Sequence, residues 1–183
     1  LPYPSRDRHW KASYALPENN KLAMTGDGSN KPPVEIAEVP DTVYDDGFLA
    51  KEAIKSLQKC AGQKKPFFLA VGFKKPHLPF ACPKKYWDLY DRDEIGLAPV
   101  PTLPENAPRF AIANYELSSG YAGNYGANNN MVPDTVSRKL RHGYFACVSF
   151  VDAQIGKVID ELDRLGLREN TVIVLWSDHG FQL

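Results

Sequence analysis

Two short polar clusters in this sequence carry the residue types needed to handle a negatively charged ester. One is Lys75 and His77, in the stretch KKPHLPF; the other is Asp178 and His179, in SDHG near the end of the chain. A carboxylate and an imidazole together can hold a divalent metal, while an ammonium and a second imidazole can bind an anion. A metal combined with cationic side chains is the equipment for stabilising a tetrahedral oxyanion ester, a sulfate or a phosphate. Each pair also has a plain structural alternative. Asp-His after a strand is then a helix cap with a hydrogen-bonded neighbour, and Lys75 and His77 are a solvated lysine and a histidine packing its own loop. Chemistry gains ground because the two pairs share a setting.

Both follow an apolar run of strand character. Residues 67–73 run FFLAVGF between two Lys-Lys-Pro triplets, and residues 172–176 run VIVLW straight into Ser177. Continuous apolar runs of this length predict strands buried on both faces, as in a parallel sheet. In open α/β sheets the working residues gather beyond the carboxyl ends of the strands. Strands close together in one sheet would therefore bring a carboxylate, two imidazoles and an ammonium to one crevice.

Helical spacing supplies the supporting layer. Phe48, Leu49, Ala53, Ile54 and Leu57 predict a helix capped by Asp45 or Asp46. A short amphipathic helix is expected at 84–90. From 134 to 165 the apolar positions Val136, Leu140, Tyr144, Val148, Val151, Ile155, Val158, Ile159, Leu162 and Leu165 keep a three-to-four spacing. Asp134 is the expected cap of that helix and Gly166 its left-handed stop. The segments are thus a loop-rich leader (1–43), a helix–strand–helix unit with the Lys-Pro-His loop (44–90), a long loop region (91–133), and a long helix with the final strand (134–183). Two strands are too few for a sheet, which commonly has about four to six, and strands buried on both faces need neighbours. The expected fold class is α/β, with a mostly parallel central sheet flanked by helices and incomplete in this chain, the middle segment of one larger domain.

Composition removes other classes. The 183 residues carry a formal net charge of zero and four scattered histidines, so no basic face points to nucleic acid. The apolar runs are too short to span a bilayer, so no membrane is expected. Leu1-Pro2-Tyr3-Pro4 has no signal-peptide character, and an opening on leucine instead of methionine is compatible with a start further upstream. Cys60, Cys82 and Cys147 are odd in number and widely spaced, which indicates neither a disulfide framework nor a zinc knuckle.

In combination, FFLAVGFKKPHLPF, YFACVSFVDAQIGKVIDELDRLGL and NTVIVLWSDHGFQL resemble consecutive blocks of the sulfatase family, within the alkaline-phosphatase-like superfamily, and in particular its iduronate-2-sulfatase branch. The resemblance runs from about Asp41 to Leu183 and weakens across 91–133. It implies that Asp178 and His179 bind a metal, Ca²⁺ in this family, although imidazole is a softer ligand than calcium prefers. It implies that His77 contacts the substrate sulfate or protonates the leaving group, with Lys75 as a companion in substrate binding and catalysis. The family's nucleophile, a formylglycine made within C-x-P-S-R, is expected outside this chain, as are the remaining metal ligands. The isolated chain is accordingly expected to be inactive without the rest of the domain. A sulfated carbohydrate is the expected partner, a glycosaminoglycan unit by the branch resembled, and an exported, periplasmic or lysosomal location follows from the same resemblance.

Several near-matches are set aside. Pro4-Ser5-Arg6 reproduces the end of the nucleophile motif, but the reactive position would be Pro2. Asp45-Asp46 opens a helix, and capping accounts for it. None of the cysteines is followed by Pro-Ser-Arg. Asp152 is expected to be a buried structural carboxylate, and Arg138, Arg141 and His142 a solvated helix face. His9 and Trp10 have no assigned role, and the Asn/Gly loop at 118–130 borders the cleft or is plain surface. Three functions stay open: hydrolysis of sulfate monoesters, hydrolysis of phosphate or phosphonate esters, and non-catalytic binding of sulfated glycans.

Overall fold

The computed structural model describes residues 13–26, 29–63, 65–100, 105, 106, 108, 115–123, 125, 132–178 and 180. Along them the order is helix α1 (Pro17–Met24), strand β1 (Val34–Ala37), helix α2 (Asp45–Gln63), strand β2 (Phe80–Pro83), then helices α3 (Lys84–Trp87), α4 (Tyr115–Ser119) and α5 (Asp134–Arg164). Short 3-10 turns occupy Asp41–Val43, Arg92–Glu94 and Arg168–Asn170. β1 and β2 pair in parallel, with Val34 opposite Phe80 and Ile36 opposite Cys82. Parallel neighbours cannot be joined by a hairpin, and α2 lies within the crossover between them.

Helix α5 covers this sheet. Leu140, Gly143, Ala146, Cys147, Phe150 and Gln154 are buried at three-to-four spacing, so one stripe of the helix faces inward. Gly143 sets how closely it lies. A Cβ there would fall 2.9 Å from the Phe80 Cβ, so only glycine lets the helix rest directly on β2. Around this contact Phe80, Cys82, Cys147 and Phe150 are fully buried, and the rings of Tyr44 and Tyr86 flank Phe150 at 6.0 and 5.3 Å between centres. α2 packs on α5 with Ala50, Ala53 and Leu57 buried, its acidic first turn suiting the positive end of the helix dipole. Gly166, at φ +67°, ends α5 as expected. Its N–H donates to Asp163 O at 2.9 Å and that of Leu167 to Leu162 O at 3.2 Å, a Schellman motif. Among the described residues no helix is long and apolar enough to cross a membrane.

Several expectations need correction. Residues 67–73 and 172–176 are extended but pair with no strand among the described residues, and Phe68, Val172 and Trp176 are 92%, 90% and 78% exposed. Apolar patterning selects the extended backbone, but burial requires neighbouring strands. The paired strands are instead β1, which carries Glu35, and β2, which ends in proline, and neither is a clean apolar run. The leader contains α1 and β1, α3 is shorter than expected, and Asp134 is the first helical residue, with Pro133 as the cap. Asp152 is exposed. It lies two residues from buried Phe150, about 200° around the helix at 3.6 residues per turn. His142 is only 2% exposed: its ring stacks on Trp87 at 3.6 Å and its Nε2 donates to Trp87 O at 2.9 Å. Arg138 donates to Ile95 O. The solvated face expected for them is a packed one. His9 and Trp10 lie outside the described residues.

Candidate active site

The Lys-Pro-His loop is held from behind by a carboxylate of α2. Asp46, 2% exposed, accepts the backbone N–H of Lys74 at 3.0 Å with one oxygen and that of Lys75 at 2.8 Å with the other. Capping therefore does not account for this residue. Its partners lie across the fold, and both oxygens are engaged in holding the loop. Asp45 beside it meets the Lys74 ammonium at 3.2 Å near the surface.

Within the loop, the Lys75–Pro76 and Leu78–Pro79 peptides are cis. The Lys75 ammonium turns inward and donates to the carbonyls of His77, at 3.2 Å, and Pro79. It clamps its own loop, and its charge lies behind the loop. His77 is half exposed, and its N–H donates to Lys74 O at 2.9 Å. Nδ1 lies 2.8 Å from Leu78 O. A carbonyl can only accept, so Nδ1 carries a proton and Nε2 is the nitrogen presented outward. Glu116, delivered by α4 from the long loop region, places a carboxylate oxygen 3.5 Å from Nε2. No local pattern marks that partner, which falls in the stretch 91–133 read from the sequence as a long loop.

Asp178 stands exposed at the end of the second extended run, and His179 lies outside the described residues. The two blocks approach the same side chain, Tyr144 of α5. Its ring meets Phe80, three residues beyond His77, at 5.8 Å between centres, and a Cβ on Gly180 would lie 3.4 Å from its hydroxyl. An exposed carboxylate suits a hard cation, but such ions take about six oxygen donors or more. Among the described residues no cluster of three or more acidic, histidine or cysteine side chains is assembled to hold one. Asp178 fits as one donor of a set; it does not constitute a site.

A second buried carboxylate went unread in the sequence. Asp41 receives Lys157, Lys85 at 2.8 Å, Tyr86 Oη at 2.8 Å and Gln154 Nε2 at 3.2 Å. Burial alone would raise its pKa; the bonds from Lys157, Lys85, Tyr86 and Gln154 outweigh that and hold it at about 2. The network ties the turn before α2 to α3 and α5. Glu35 on β1 is likewise structural. It accepts from the backbone N–H of Ala15 and Leu16, from Asn19 and from Tyr44.

A family model described as Sulfatase matches residues 6–183. The chain is 39% identical over 174 residues to iduronate 2-sulfatase of Mus musculus and 36% identical to that of Homo sapiens; each alignment covers 91% of this chain and 32% of the relative. It is 30% identical to choline-sulfatase of Rhizobium meliloti, over 99% of this chain and 35% of that protein. The chain therefore spans about one third of the length of these curated relatives.

Proposed function

The chain belongs to the sulfatase family, and on that premise we propose that its whole protein hydrolyses sulfate monoesters of a sulfated sugar. The observation that carries the reading is His77: Nδ1 is fixed by Leu78 O, and Nε2, 3.5 Å from the Glu116 carboxylate, belongs to a half-exposed ring on a loop anchored by Asp46. A nucleophile attacks sulfur, a new O–S bond forms, and the S–O bond to the sugar breaks. The sugar oxygen leaves with the electron pair and takes a proton from Nε2 of protonated His77. Lys75 holds the loop and adds positive charge behind it, which favours the sulfate anion. The nucleophile, by family resemblance a formylglycine, lies outside this chain. Asp178 and His179 would help hold one divalent cation, calcium by the same resemblance, whose charge would offset that of the sulfate. The likeness to iduronate 2-sulfatases is the ground for a glycosaminoglycan-type substrate and for an exported or lysosomal location.

The test uses the full-length protein, a sulfated uronic-acid disaccharide and the matching phosphate ester. We expect sulfate release that falls about 100-fold or more in His77→Ala, the usual scale of a lost general acid. Preferential release of phosphate, or a His77→Ala variant as active as the wild type, would overturn the reading. Binding of sulfated sugar without turnover would convert it to a glycan-binding protein.

A further inference from the structure

Cys82 on β2 and Cys147 on α5 are far apart in sequence, both fully buried, and neither takes part in the site described above. Their meeting follows from register. Gly143 rests against Phe80, with 2.9 Å between the Phe80 Cβ and the position a Cβ would take at 143. Four residues on along the helix, a rise of about 6 Å, stands Cys147. Two residues on along the strand, about 6.6 Å, stands Cys82 on the same face. The two steps nearly match, so Cys147 comes down on Cys82 as Gly143 does on Phe80, close enough for each thiol to perturb the other's ionisation. The close approach that Gly143 permits is of the kind a disulfide needs, whose Cβ atoms stand about 3.5–4.5 Å apart.

We propose that Cys82 and Cys147 form a disulfide, a covalent staple between β2 and α5 made by exchange with a small disulfide such as glutathione disulfide. One cysteine thiolate attacks the small disulfide, forming a mixed disulfide and releasing one glutathione thiol. The second cysteine then attacks the protein sulfur of the mixed disulfide and releases the other. Two electrons pass from the cysteine pair to glutathione disulfide, and the two thiol protons end on two glutathione molecules. Access to the oxidant belongs to folding, before α5 closes over the sheet. The staple lies directly behind the His77 loop, because β2 starts at Phe80, next to the Pro79 carbonyl that Lys75 clamps. Cys60 on α2 takes no part.

The full-length protein is refolded in a glutathione and glutathione-disulfide buffer, then unfolded without reductant in iodoacetamide and mapped by peptide mass spectrometry. We expect the peptides carrying Cys82 and Cys147 to be joined, lighter by two hydrogens than their sum, with Cys60 alkylated. Reductant should separate the pair. Alkylation of both Cys82 and Cys147, or linkage of either to Cys60 instead, would overturn the proposal. The map reads the wild-type protein, so the outcome does not depend on a variant folding.

Discussion

The Asp46 carboxylate accepts the backbone N–H of Lys75 at 2.8 Å across 29 residues of sequence, and so fastens the His77 loop to the first turn of α2. With its second bond, to Lys74 N, this contact decides where His77 can stand.

Asp46→Ala should lower stability by about 3 kcal/mol, since it leaves two backbone donors without a charged acceptor. In the full-length protein it should also lower kcat/KM about 100-fold, because His77 drifts from its position. Asp45→Ala is the control. Its partner is the exposed Lys74 ammonium, and such pairs are worth less than about 1 kcal/mol. Urea denaturation and steady-state kinetics on both variants check this; equal losses would show that Asp46 acts only as a helix cap.

Gly143 and Gly156 lie in the same helix and should respond in opposite directions to alanine. Gly143→Ala drives a methyl to within 2.9 Å of the Phe80 Cβ and should cost about 1–3 kcal/mol as α5 is pushed off the sheet. At Gly156 nothing stands within 4 Å of the added carbon. Gly156→Ala should therefore raise stability by about 0.5–1 kcal/mol, through helix propensity alone. Melting temperatures of the two variants decide the matter, and a stabilised Gly143→Ala would contradict the packing described.

Asp41 makes stability depend on pH at the acid end. Its folded pKa of about 2 lies below the ordinary 3.8, so folding favours the ionised form. The contribution, on the order of 2 kcal/mol, is complete above about pH 4 and is lost as pH falls through the folded value. The stability gap between wild type and Asp41→Asn should be widest near neutrality and shrink steadily between about pH 4 and 2. Urea midpoints along that series test it, and a gap that does not change with pH would remove Asp41 as the cause.

The sequence announced its long-range order only where one element carried the whole signal. α5 was legible because its apolar stripe persists through a 31-residue helix, and Gly166 because a left-handed stop is a local requirement. The turn that carries His77 was legible as a loop because prolines flank it after an apolar run. β1 and β2 were not, being four residues each with a carboxylate in one and a proline in the other. Asp46, His142 and Glu116 were misread or missed for a common reason. Their partners, Lys75, Trp87 and His77, lie 29, 55 and 39 residues away, so no window of local sequence contains both members of a pair. Asp152 shows the converse error, since neighbours in sequence are not neighbours on a helix surface.

The two extended runs at 67–73 and 172–176 also govern how this polypeptide must be handled during synthesis. Neither pairs with a strand among the described residues, and each carries exposed apolar side chains, Phe68 in the first and Val172, Val174, Leu175 and Trp176 in the second. Such an edge is a template for any other strand it meets. Left without a partner strand, the two ribbons are adhesive, and capture by a chaperone or rapid pairing with another strand favours solubility. Produced as these 183 residues, the chain is expected to aggregate more readily than one whose strands are all paired.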